Sequence, residues 1–327
     1  MRRIPAILAL AGYLTVPFLL VPVAATADEW PSRPVRMVNT FAVGGTADVL
    51  TRMVADLLST AFKQQFFVET RAGAGGTIGV KTVIDSPPDG YNFVLTNVSH
   101  LALLPNSNPK LGYDPLRDLT NVGYIAGSPI VLSVNAARGV KTIKDFIAWA
   151  KRSDKPLTYS SSGLGSSGHL VAETFSQLTG IKIEHVPYKG ASQGLTDLAG
   201  GHISFGAQTV SSTAALVRGG TLIALAHSAK ERLADFPDVP TLKELGYDVV
   251  ATTWFSLSGP AGLPNDIVQK VNHEMVRGIA KPEIQARLRL DGLVSEPMSV
   301  DELKTFIASE LARWKPAIER AGLVSKQ

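Results

Sequence analysis

Two turns rich in glycine and serine are the parts of this chain best suited to binding an anion. The first covers residues 41–48 and follows the apolar run Val35–Val38, and the second covers residues 160–168 and follows Leu157–Tyr159. Each turn precedes a stretch with helical spacing of apolar residues, so its N–H groups and hydroxyls lie at a helix N-terminus, where the helix dipole favours negative charge. Neither turn contains lysine or arginine. Two such turns predict that two halves of the protein close on one small carboxylate.

The second turn also fits a motif of a different chemistry. Residues 163–168 match the dinucleotide-binding pattern GxGxxG, and Glu184 follows sixteen residues later. Because that fingerprint normally opens a domain and this copy lies in mid-chain, we expect an anion-binding turn rather than a nucleotide site. A tight turn that binds nothing is the other interpretation.

The polar side chains of the two turns have structural as well as functional interpretations. Ser166 and Ser167 offer hydroxyls, and His169 lies within one helical turn of them, as in a serine hydrolase. The sequence has no GxSxG elbow and indicates no acidic partner for His169, so we expect the hydroxyls to cap the following helix. Asp48 either caps the first helix or accepts a hydrogen bond from a ligand amine or hydroxyl, directly or through water.

The sequence contains no clear motif for binding a metal ion or a cofactor. The six histidines show neither HxxxH nor HExxH spacing and lie at positions 100, 169, 185, 202, 227 and 273. Gly73–Gly76 lacks the lysine and threonine that complete a phosphate loop. We therefore predict no metal and no cofactor. Trp254 and Phe255 are expected either to line a cleft or, as aromatic residues more often do, to pack in the core.

The composition excludes several classes of function. The chain has 327 residues, with 32 lysines and arginines against 28 aspartates and glutamates, for a formal net charge of +4. It shows no lysine–arginine cluster, which argues against a nucleic-acid partner. It has no cysteine, so disulfides, thiol catalysis and a lipid anchor on an N-terminal cysteine are excluded.

The N-terminus has the pattern of a secretory signal peptide. Arg2 and Arg3 precede an uncharged run over residues 6–23, and Ala25-Thr26-Ala27 offers a small-residue cleavage site. We predict cleavage after Ala27 and a periplasmic protein. An uncleaved membrane anchor is the competing interpretation, because the run approaches the roughly 20 residues that span a bilayer. Removal of 27 from 327 residues leaves 300, enough for two domains.

Short apolar runs alternate with amphipathic stretches along the rest of the chain, which predicts an α/β fold. The predicted strands cover residues 35–39, 66–69, 91–96, 130–134, 157–159, 183–186, 203–206, 222–226 and 252–258. The predicted helices cover residues 47–60, 78–85, 143–152, 169–178, 190–199, 211–218, 266–280 and 300–321.

The chain is expected to cross twice between two lobes. The strand at 130–134 leaves the first lobe, and the segment Thr252–Ser258 returns to it. Two crossings predict a hinge of two strands, which suits closure on a ligand. We expect lobe 1 to comprise residues 28–130 and 253–327, and lobe 2 to comprise residues 131–252.

Ten segments of the chain follow, in order, those of a known family. They are WPSRPVRMV (30–38), FAVGGTADVLTR (41–52), ETRAGAGGTIG (69–79), PPDGY (87–91), YDPLRDL (113–119), YSSSGLGSSGHLVAETF (159–175), HVPYKGASQGLTDLAGG (185–201), FPDVPTLKELG (236–246), WFSLSGPAGLP (254–264) and ERAGL (319–323). Together they resemble the extracytoplasmic solute receptors of the tripartite tricarboxylate transporter group, also called Bug proteins.

The resemblance implies a two-lobe periplasmic binding protein of type II that clamps a carboxylated solute between its lobes. The family's ligand residues, carried over by position, are Phe41, Gly44, Thr46, Ala47, Asp48, Asn97, Ser99, Ser161, Gly165, Ser166 and His169. Asp197 and Gln208 occupy positions that suit either ligand contact or a structural role. The first turn departs from the common family form, which has prolines at Ala42 and Val43 and a glycine at Thr46.

The function expected from the sequence is therefore that of a receptor and not of an enzyme. The protein is predicted to be a monomer that captures a small carboxylate and delivers it to a membrane permease. The ligand is left open among di- and tricarboxylates, aromatic acids and amino acids. Two alternatives are a sensor that docks on a signalling partner, and a hydrolase or ligase acting on such acids.

Overall fold

Residues 29–320 and 322–324 are described by the computed structural model of the protein, and the predicted signal peptide lies outside them. The strands are β1 (Val35–Asn39), β2 (Phe66–Thr70), β3 (Asn92–Asn97), β4 (Leu119–Asn135), β5 (Leu157–Ser161), β6 (Ile183–Pro187), β7 (Phe205–Thr209), β8 (Leu222–His227) and β9 (Thr252–Pro260). The helices are α1 (Thr46–Phe62), α2 (Thr77–Ile84), α3 (Leu104–Ser107), α4 (Ile143–Arg152), α5 (Ser167–Thr179), α6 (Ala191–Ala199), α7 (Val210–Arg218), α8 (Asn265–Ile279), α9 (Pro282–Leu290) and α10 (Val300–Arg320). A π-helical turn, Ser99–Leu103, precedes α3.

The strands form one mixed sheet in the order β2-β1-β3-β9-β4-β7-β5-β6, with β8 also paired to β4. The β1–β2, β1–β3, β5–β6 and β5–β7 pairs are parallel, whereas β9 and β4 run antiparallel to their neighbours. Strands β1 and β5 therefore occupy matching positions in two parallel groups, and each is followed by a helix that starts at its carboxyl end. This placement puts the two glycine- and serine-rich turns at the carboxyl ends of their strands.

Strand β4 belongs to both parts of the sheet. Residues 119–129 pair with β9, while residues 130–135 pair with β7 and β8. Pro129 lies opposite Thr252, so the two parts of the sheet are joined through two adjacent strands. We call β1, β2, β3, β9 and residues 119–129, with α1, α8 and their connecting loops, the first half, and residues 130–135 and β5 to β8, with α4 to α7 and their connecting loops, the second half.

Helix α1 shows how the sequence positions the first turn. Gly45 is its N-cap, Asp48 lies in its first turn, and its buried side chains recur at helical spacing: Leu50, Val54 and Leu58. They pack with Val271 and Met275 of α8 in one apolar cluster on the first half. Each such buried aliphatic side chain contributes roughly 1.5–3 kcal/mol. The packing fixes where the helix begins, and therefore where its free N–H groups lie.

The opposite side of the first half is covered by α10. The Nε1 groups of Trp254 and Trp314 donate to Glu310 Oε2 at 2.8 and 3.0 Å, which satisfies a carboxylate that is only 5% exposed. Trp254 thus packs in the core, one of the two expectations for it. In the second half, Phe146 of α4 packs against Phe175 of α5 and Phe205 of β7.

Several features differ from the sequence-based elements, since α3, α9 and the π-helical turn were not predicted and two strands have other bounds. The predicted strand at 203–206 is wrong by about three residues at its end, because β7 covers Phe205–Thr209 in order to pair Gly206 and Thr209 with β4. Strand β4 begins at Leu119, eleven residues before the predicted Ile130. Its first part carries Gly123, Gly127 and Pro129, which weaken a strand pattern, yet β9 pairs with it along that whole length.

Candidate functional site

A central cavity lies between the two halves, close to the crossing of β4 and β9. Its volume is about 40 Å³, and its wall includes Ile130 of β4 and both Thr253 and Phe255 of β9. Seven of the residues predicted for the ligand site line it, namely Phe41, Thr46, Ala47, Asn97, Ser99, Ser166 and Gln208. The structure therefore brings together predicted residues from both halves.

Four helices direct their N-termini at this cavity. Its wall contains the first residues of α1 at Gly45–Ala47, of α5 at Ser166–Gly168, of α6 at Ala191 and of α7 at Thr209. The hydroxyls of Ser166 and Thr209 cap their helices by accepting from the N–H of the residue three positions on. The remaining N–H groups of the first turns, together with four helix dipoles, make the cavity favourable for an anion.

Hydroxyl groups join the two halves beside the cavity. Thr46 Oγ1 of α1 lies 2.8 Å from Thr209 Oγ1, 2.6 Å from Ser211 Oγ and 2.7 Å from Ser212 Oγ, all of the second half. The Thr46 backbone N–H also donates to Ser212 Oγ at 3.2 Å. The Thr46 hydroxyl therefore makes a direct bond between the halves.

The backbone also connects the two halves, along what we call the seam. The Ala42 N–H donates to Lys189 O at 2.9 Å, and Ser192 Oγ donates to Val43 O at 2.8 Å. A β-carbon on Gly190 would lie 2.9 Å from the Ala42 nitrogen. The halves are therefore closed on each other, and glycine at 190 permits the close approach.

Four buried polar groups that line the cavity have no hydrogen-bond partner. They are the hydroxyls of Ser99, Ser167 and Thr253 and the Nε2 amide of Gln208. The residues are between 1% and 5% exposed. Buried polar groups in proteins are nearly always paired, so this concentration in one cavity marks groups that are available to a ligand.

The carboxamide oxygens of the cavity, in contrast, are engaged. Gln208 Oε1 accepts from Ser162 Oγ at 2.8 Å. Asn97 Oδ1 accepts from the backbone N–H groups of Ser99 at 3.0 Å and His100 at 3.4 Å. None of the described residues that line the cavity is charged. The free Gln208 amide is therefore a donor, and the three free hydroxyls can donate or accept.

Six of the predicted ligand residues lie outside the lining of the cavity. The Asp48 carboxylate accepts from Gly44 N at 3.2 Å and Arg52 Nε at 3.0 Å, so it orders the first turn from within the first turn of α1. Ser161 Oγ bonds with His185 Nε2 at 2.6 Å, and Asp197 accepts from the Tyr188 hydroxyl at 2.5 Å. Gly165 and His169 line a separate side groove of about 470 Å³ that also includes Gly75, Leu104 and Tyr188.

The second turn rests on a stack of aromatic rings. The His169 and His185 rings lie 4.4 Å apart and 13° from parallel, and Tyr159 stacks on the other face of His185 at 4.8 Å. His169 Nδ1 accepts from the Gly165 N–H at 3.3 Å. Burial lowers the pKa of His185 to about 3, with a smaller effect from the neighbouring His169, and burial also lowers the pKa of His169. Both rings are therefore neutral supports of the turn at ordinary pH.

Several lining residues were not among those predicted. Ser162, Ser167 and Gly168 belong to the second turn, so the sequence placed the segment without singling them out. Thr253 and Phe255 lie on β9, and Thr209 and Ser212 lie at the start of α7. Their signals in the sequence are the strand segment TTWFSLS (252–258) and the hydroxyl-rich helix start QTVSST (208–213).

The described residues show no feature of a metal site or a membrane span. Within residues 29–320 and 322–324, no three His, Cys, Asp or Glu side chains are grouped so as to hold a metal ion. Among the helices of that part, none combines the length and the apolar character needed to cross a bilayer.

Comparison with known proteins places the chain in a family. The model of the tripartite tricarboxylate transporter family receptor, TctC, matches residues 50–323. The chain is 31% identical over 324 residues to protein BugT of Bordetella pertussis, with 98% of each chain covered.

Solved structures with the same fold agree with that match. The Rhodopseudomonas palustris protein Rpa4515 with adipate has a TM-score of 0.87 and 32% identity, over 90% of this chain and 99% of that one. MatC from the same organism, with bound malate, has a TM-score of 0.84 and 25% identity, and the match covers 88% of this chain and 100% of that one. These similarities confirm the predicted α/β fold of a two-lobe periplasmic binding protein. The chain belongs to the solute-receptor family of the tripartite tricarboxylate transporters.

Proposed function

We propose that this protein is an exported receptor that captures one small carboxylate in the central cavity and delivers it to the permease of a tripartite transporter. The observation that carries the proposal is the set of unpartnered groups on Ser99, Ser167, Gln208 and Thr253. A buried polar group without a partner costs about 1–3 kcal/mol. A ligand that accepts hydrogen bonds from these groups removes that cost, so binding is favoured.

A carboxylate matches this set of groups. Its two oxygens accept about four hydrogen bonds, as many as the cavity has unpartnered side chains. The four helix N-termini supply the compensating positive potential that would otherwise require lysine or arginine. The adipate and malate carried by the two R. palustris proteins support a carboxylate for this chain as well.

The predicted ligand residues have two roles in this proposal. Phe41, Thr46, Ala47, Asn97, Ser99, Ser166 and Gln208 form the wall that contacts the acid. Gly44, Asp48, Ser161, Gly165, His169 and Asp197 hold the turns that carry the wall. The support for the second role is that the polar groups of these residues bond to protein atoms.

Closure of two lobes is the proposed mechanism of capture. Lobe 1 comprises residues 28–130 and 253–327, and lobe 2 residues 131–252, with the hinge at the Pro129–Thr252 pair. In the open state the donors of the two lobes face water. An acid that bonds to both lobes favours the closed state by its differential affinity for that state.

The same geometry supports binding without chemical conversion. At the second turn, Ser161 Oγ forms a side-chain hydrogen bond with His185 Nε2, but Ser161 is fully buried and does not line the cavity. We propose a periplasmic protein, cleaved after Ala27, that works as a monomer. Incubation of a bound acid with the protein, followed by mass analysis, is expected to return the acid unchanged.

A thermal-shift screen followed by isothermal titration tests the proposed function. The protein is unfolded and refolded to remove any ligand carried from the host, then mixed with mono-, di- and tricarboxylates. At least one acid is expected to raise the melting temperature, since a ligand at a hundredfold excess over its Kd adds about 2.7 kcal/mol to stability. A folded protein that binds no acid in either assay would refute the proposal.

A further inference from the structure

Two glycine-rich segments, neither of which lines the central cavity, meet each other across the two halves. Gly73–Gly76 follows β2 in the first half, and residues 163–165 belong to the second turn. A β-carbon on Gly75 would lie 2.7 Å from the carbonyl oxygen of Leu164, and one on Gly163 would lie 3.5 Å from Gly75 Cα. Glycine at 75 therefore permits the approach of the two segments, which we call the glycine contact.

The backbone of Gly73–Gly76 has a shape that its surroundings must hold. Its four φ angles are 139°, 49°, 64° and 91°, so every residue, Ala74 included, lies in the region that favours glycine. A backbone of this kind persists where neighbouring groups fix it. One such group is the ring of His100, whose Nε2 lies 3.1 Å from Gly75 O.

The two ring nitrogens of His100 have different partners. Nδ1 accepts from the backbone N–H of Asn97 at 3.2 Å, so the ring proton is on Nε2, which donates to Gly75 O. The ring is fully buried, and burial lowers its pKa to about 4, so it is neutral at ordinary pH. It also contacts Phe41, with the ring centroids 5.4 Å apart, and a β-carbon on Gly76 would overlap it. The ring therefore fits closely between the loop and the turn that follows β3.

His100 connects the central cavity to the glycine contact. Asn97 and Ser99 line the cavity, whereas Gly75 meets the second turn. We propose that His100 is a positioning residue that couples ligand contact at Asn97–Ser99 to closure of the two halves at the glycine contact. This inference rests on the proposed capture of a carboxylate by closure. Because the ring holds the loop in the shape that meets the second turn, it favours the closed state and thereby raises affinity.

Gly75→Ala tests the glycine contact. The added methyl group would clash with Leu164 O of the second half, while its nearest neighbour in the first half is Leu104 Cδ1 at an ordinary 3.7 Å. The change therefore opposes closure, and we expect affinity for the best-binding acid to fall at least about tenfold. Gly139→Ala is the matched control, because its φ is 69° and its β-carbon would meet no described atom within 4 Å. It carries the same backbone strain and should bind as the wild type.

His100→Gln and His100→Asn separate the donor of the ring from its bulk. The amide of glutamine can replace Nε2 as the donor to Gly75 O, whereas that of asparagine, one carbon shorter, reaches only the position of Nδ1. We expect His100→Gln to retain most of the affinity and His100→Asn to lose about tenfold, the value of one hydrogen bond. Both variants lack the ring, so equal affinities in the two would show that the donor has no part in binding.

The double variant with Gly75→Ala and His100→Asn tests the coupling itself. Isothermal titration with the best-binding acid is applied to variants whose fold is confirmed by circular dichroism. If His100 acts through the glycine contact, His100→Asn should cost much less affinity in the Gly75→Ala protein than in the wild type. Additive losses would overturn the inference, because they would mean that His100 acts independently of that contact.

The remaining outcomes separate this inference from the proposed function. Wild-type affinity in Gly75→Ala would overturn the inference while leaving carboxylate capture intact, and this variant decides alone if His100→Asn does not fold. Failure of every acid to bind the wild type would instead refute the proposed function.

Discussion

At the scale of single residues, the site is defined by polar groups that the fold leaves unpaired. Ser99, Ser167, Thr253 and Gln208 are buried, and each would be costly if its free group served only the fold. Their presence together in one cavity is easiest to explain by a ligand that completes their hydrogen bonds. Such residues lower the stability of the ligand-free protein and raise its affinity for the ligand.

The Thr253→Val variant separates these two effects. The change keeps the shape of a β-branched strand residue and removes the unpartnered hydroxyl, so the free energy of unfolding should stay the same or rise. Affinity for the acid should fall about tenfold, the value of one lost hydrogen bond. Thermal denaturation without ligand and isothermal titration measure the two quantities.

The matched control for this prediction is Thr305→Val on the exposed face of α10. It removes a hydroxyl of the same type far from the cavity and should leave affinity unchanged. If Thr253→Val bound the acid as tightly as the wild type, the hydroxyl would have no part in binding.

The two turns were predictable from the sequence more completely than the individual contacts. Glycine and serine at a strand-to-helix junction predict free N–H groups, and this pattern located Thr46, Ser166 and their neighbours. It could not locate Thr253, because the sequence around a threonine in an apolar strand does not show which face of the sheet its side chain is on. It also could not show that the carboxylate of Asp48 turns to Arg52 and Gly44, since that depends on packing.

At the scale of secondary-structure elements, the seam between the β1–α1 turn and α6 controls closure. Gly190 has a φ of 165°, which is extended backbone that any residue adopts. A β-carbon there would nevertheless lie 2.9 Å from the Ala42 nitrogen, which is a steric clash. Glycine at this position therefore serves the closed state rather than the local backbone.

Gly190→Ala should weaken ligand binding without unfolding the protein. The added methyl group opposes closure, so we expect affinity to fall at least about tenfold while the circular dichroism spectrum is unchanged. Small-angle scattering with saturating acid should show a larger radius of gyration than that of the liganded wild type.

Gly219→Ala is the control for the effect of a methyl group on a glycine outside the seam. Its β-carbon would meet Ala215 O of α7 at 3.2 Å, a contact within one helix terminus and not between the halves. This variant should bind the acid as the wild type does. Wild-type affinity in Gly190→Ala would show that the closed seam is not required for binding.

The helices and strands were predictable where apolar and polar residues alternate with a clear period, as in α1 and α4. They were less predictable where a strand is buried on both faces and has no such alternation. The first part of β4 is buried on both faces and interrupted by glycines, so neither period 2 nor period 3.6 appears there. Its pairing with β9 depends on residues more than 120 positions away, such as Pro260 opposite Leu119. Such non-local pairing has no local sequence signal.

At the scale of the whole molecule, buried neutral histidines make stability depend on pH. Burial lowers the pKa of His100 and His227 to about 4 and that of His185 to about 3, against 6.5 for the unfolded chain. Below pH 6.5 the unfolded chain therefore binds protons that the folded protein does not. The free energy of unfolding is highest above that pH and falls as the pH drops toward the folded pKa values.

Urea unfolding between pH 7.5 and pH 5 measures this loss. We expect each of the fully buried rings, His100 and His227, to contribute about 2 kcal/mol of loss over that interval. His227→Gln should reduce the slope, and the exposed His273→Gln should not. A free energy of unfolding that stayed constant over this range would show that the buried rings gain protons as easily as the unfolded chain.

A crystal structure of the protein with its best-binding acid is the most direct measurement of where and how the ligand is held. We expect a carboxylate in the central cavity, with oxygens about 2.7–3.2 Å from Gln208 Nε2 and from the hydroxyls of Ser167 and Thr253. Residues of both halves would then contact one ligand, as capture by closure requires. An acid bound in the side groove beside His169, with the central cavity still holding unpartnered groups, would contradict capture by the helix N-termini.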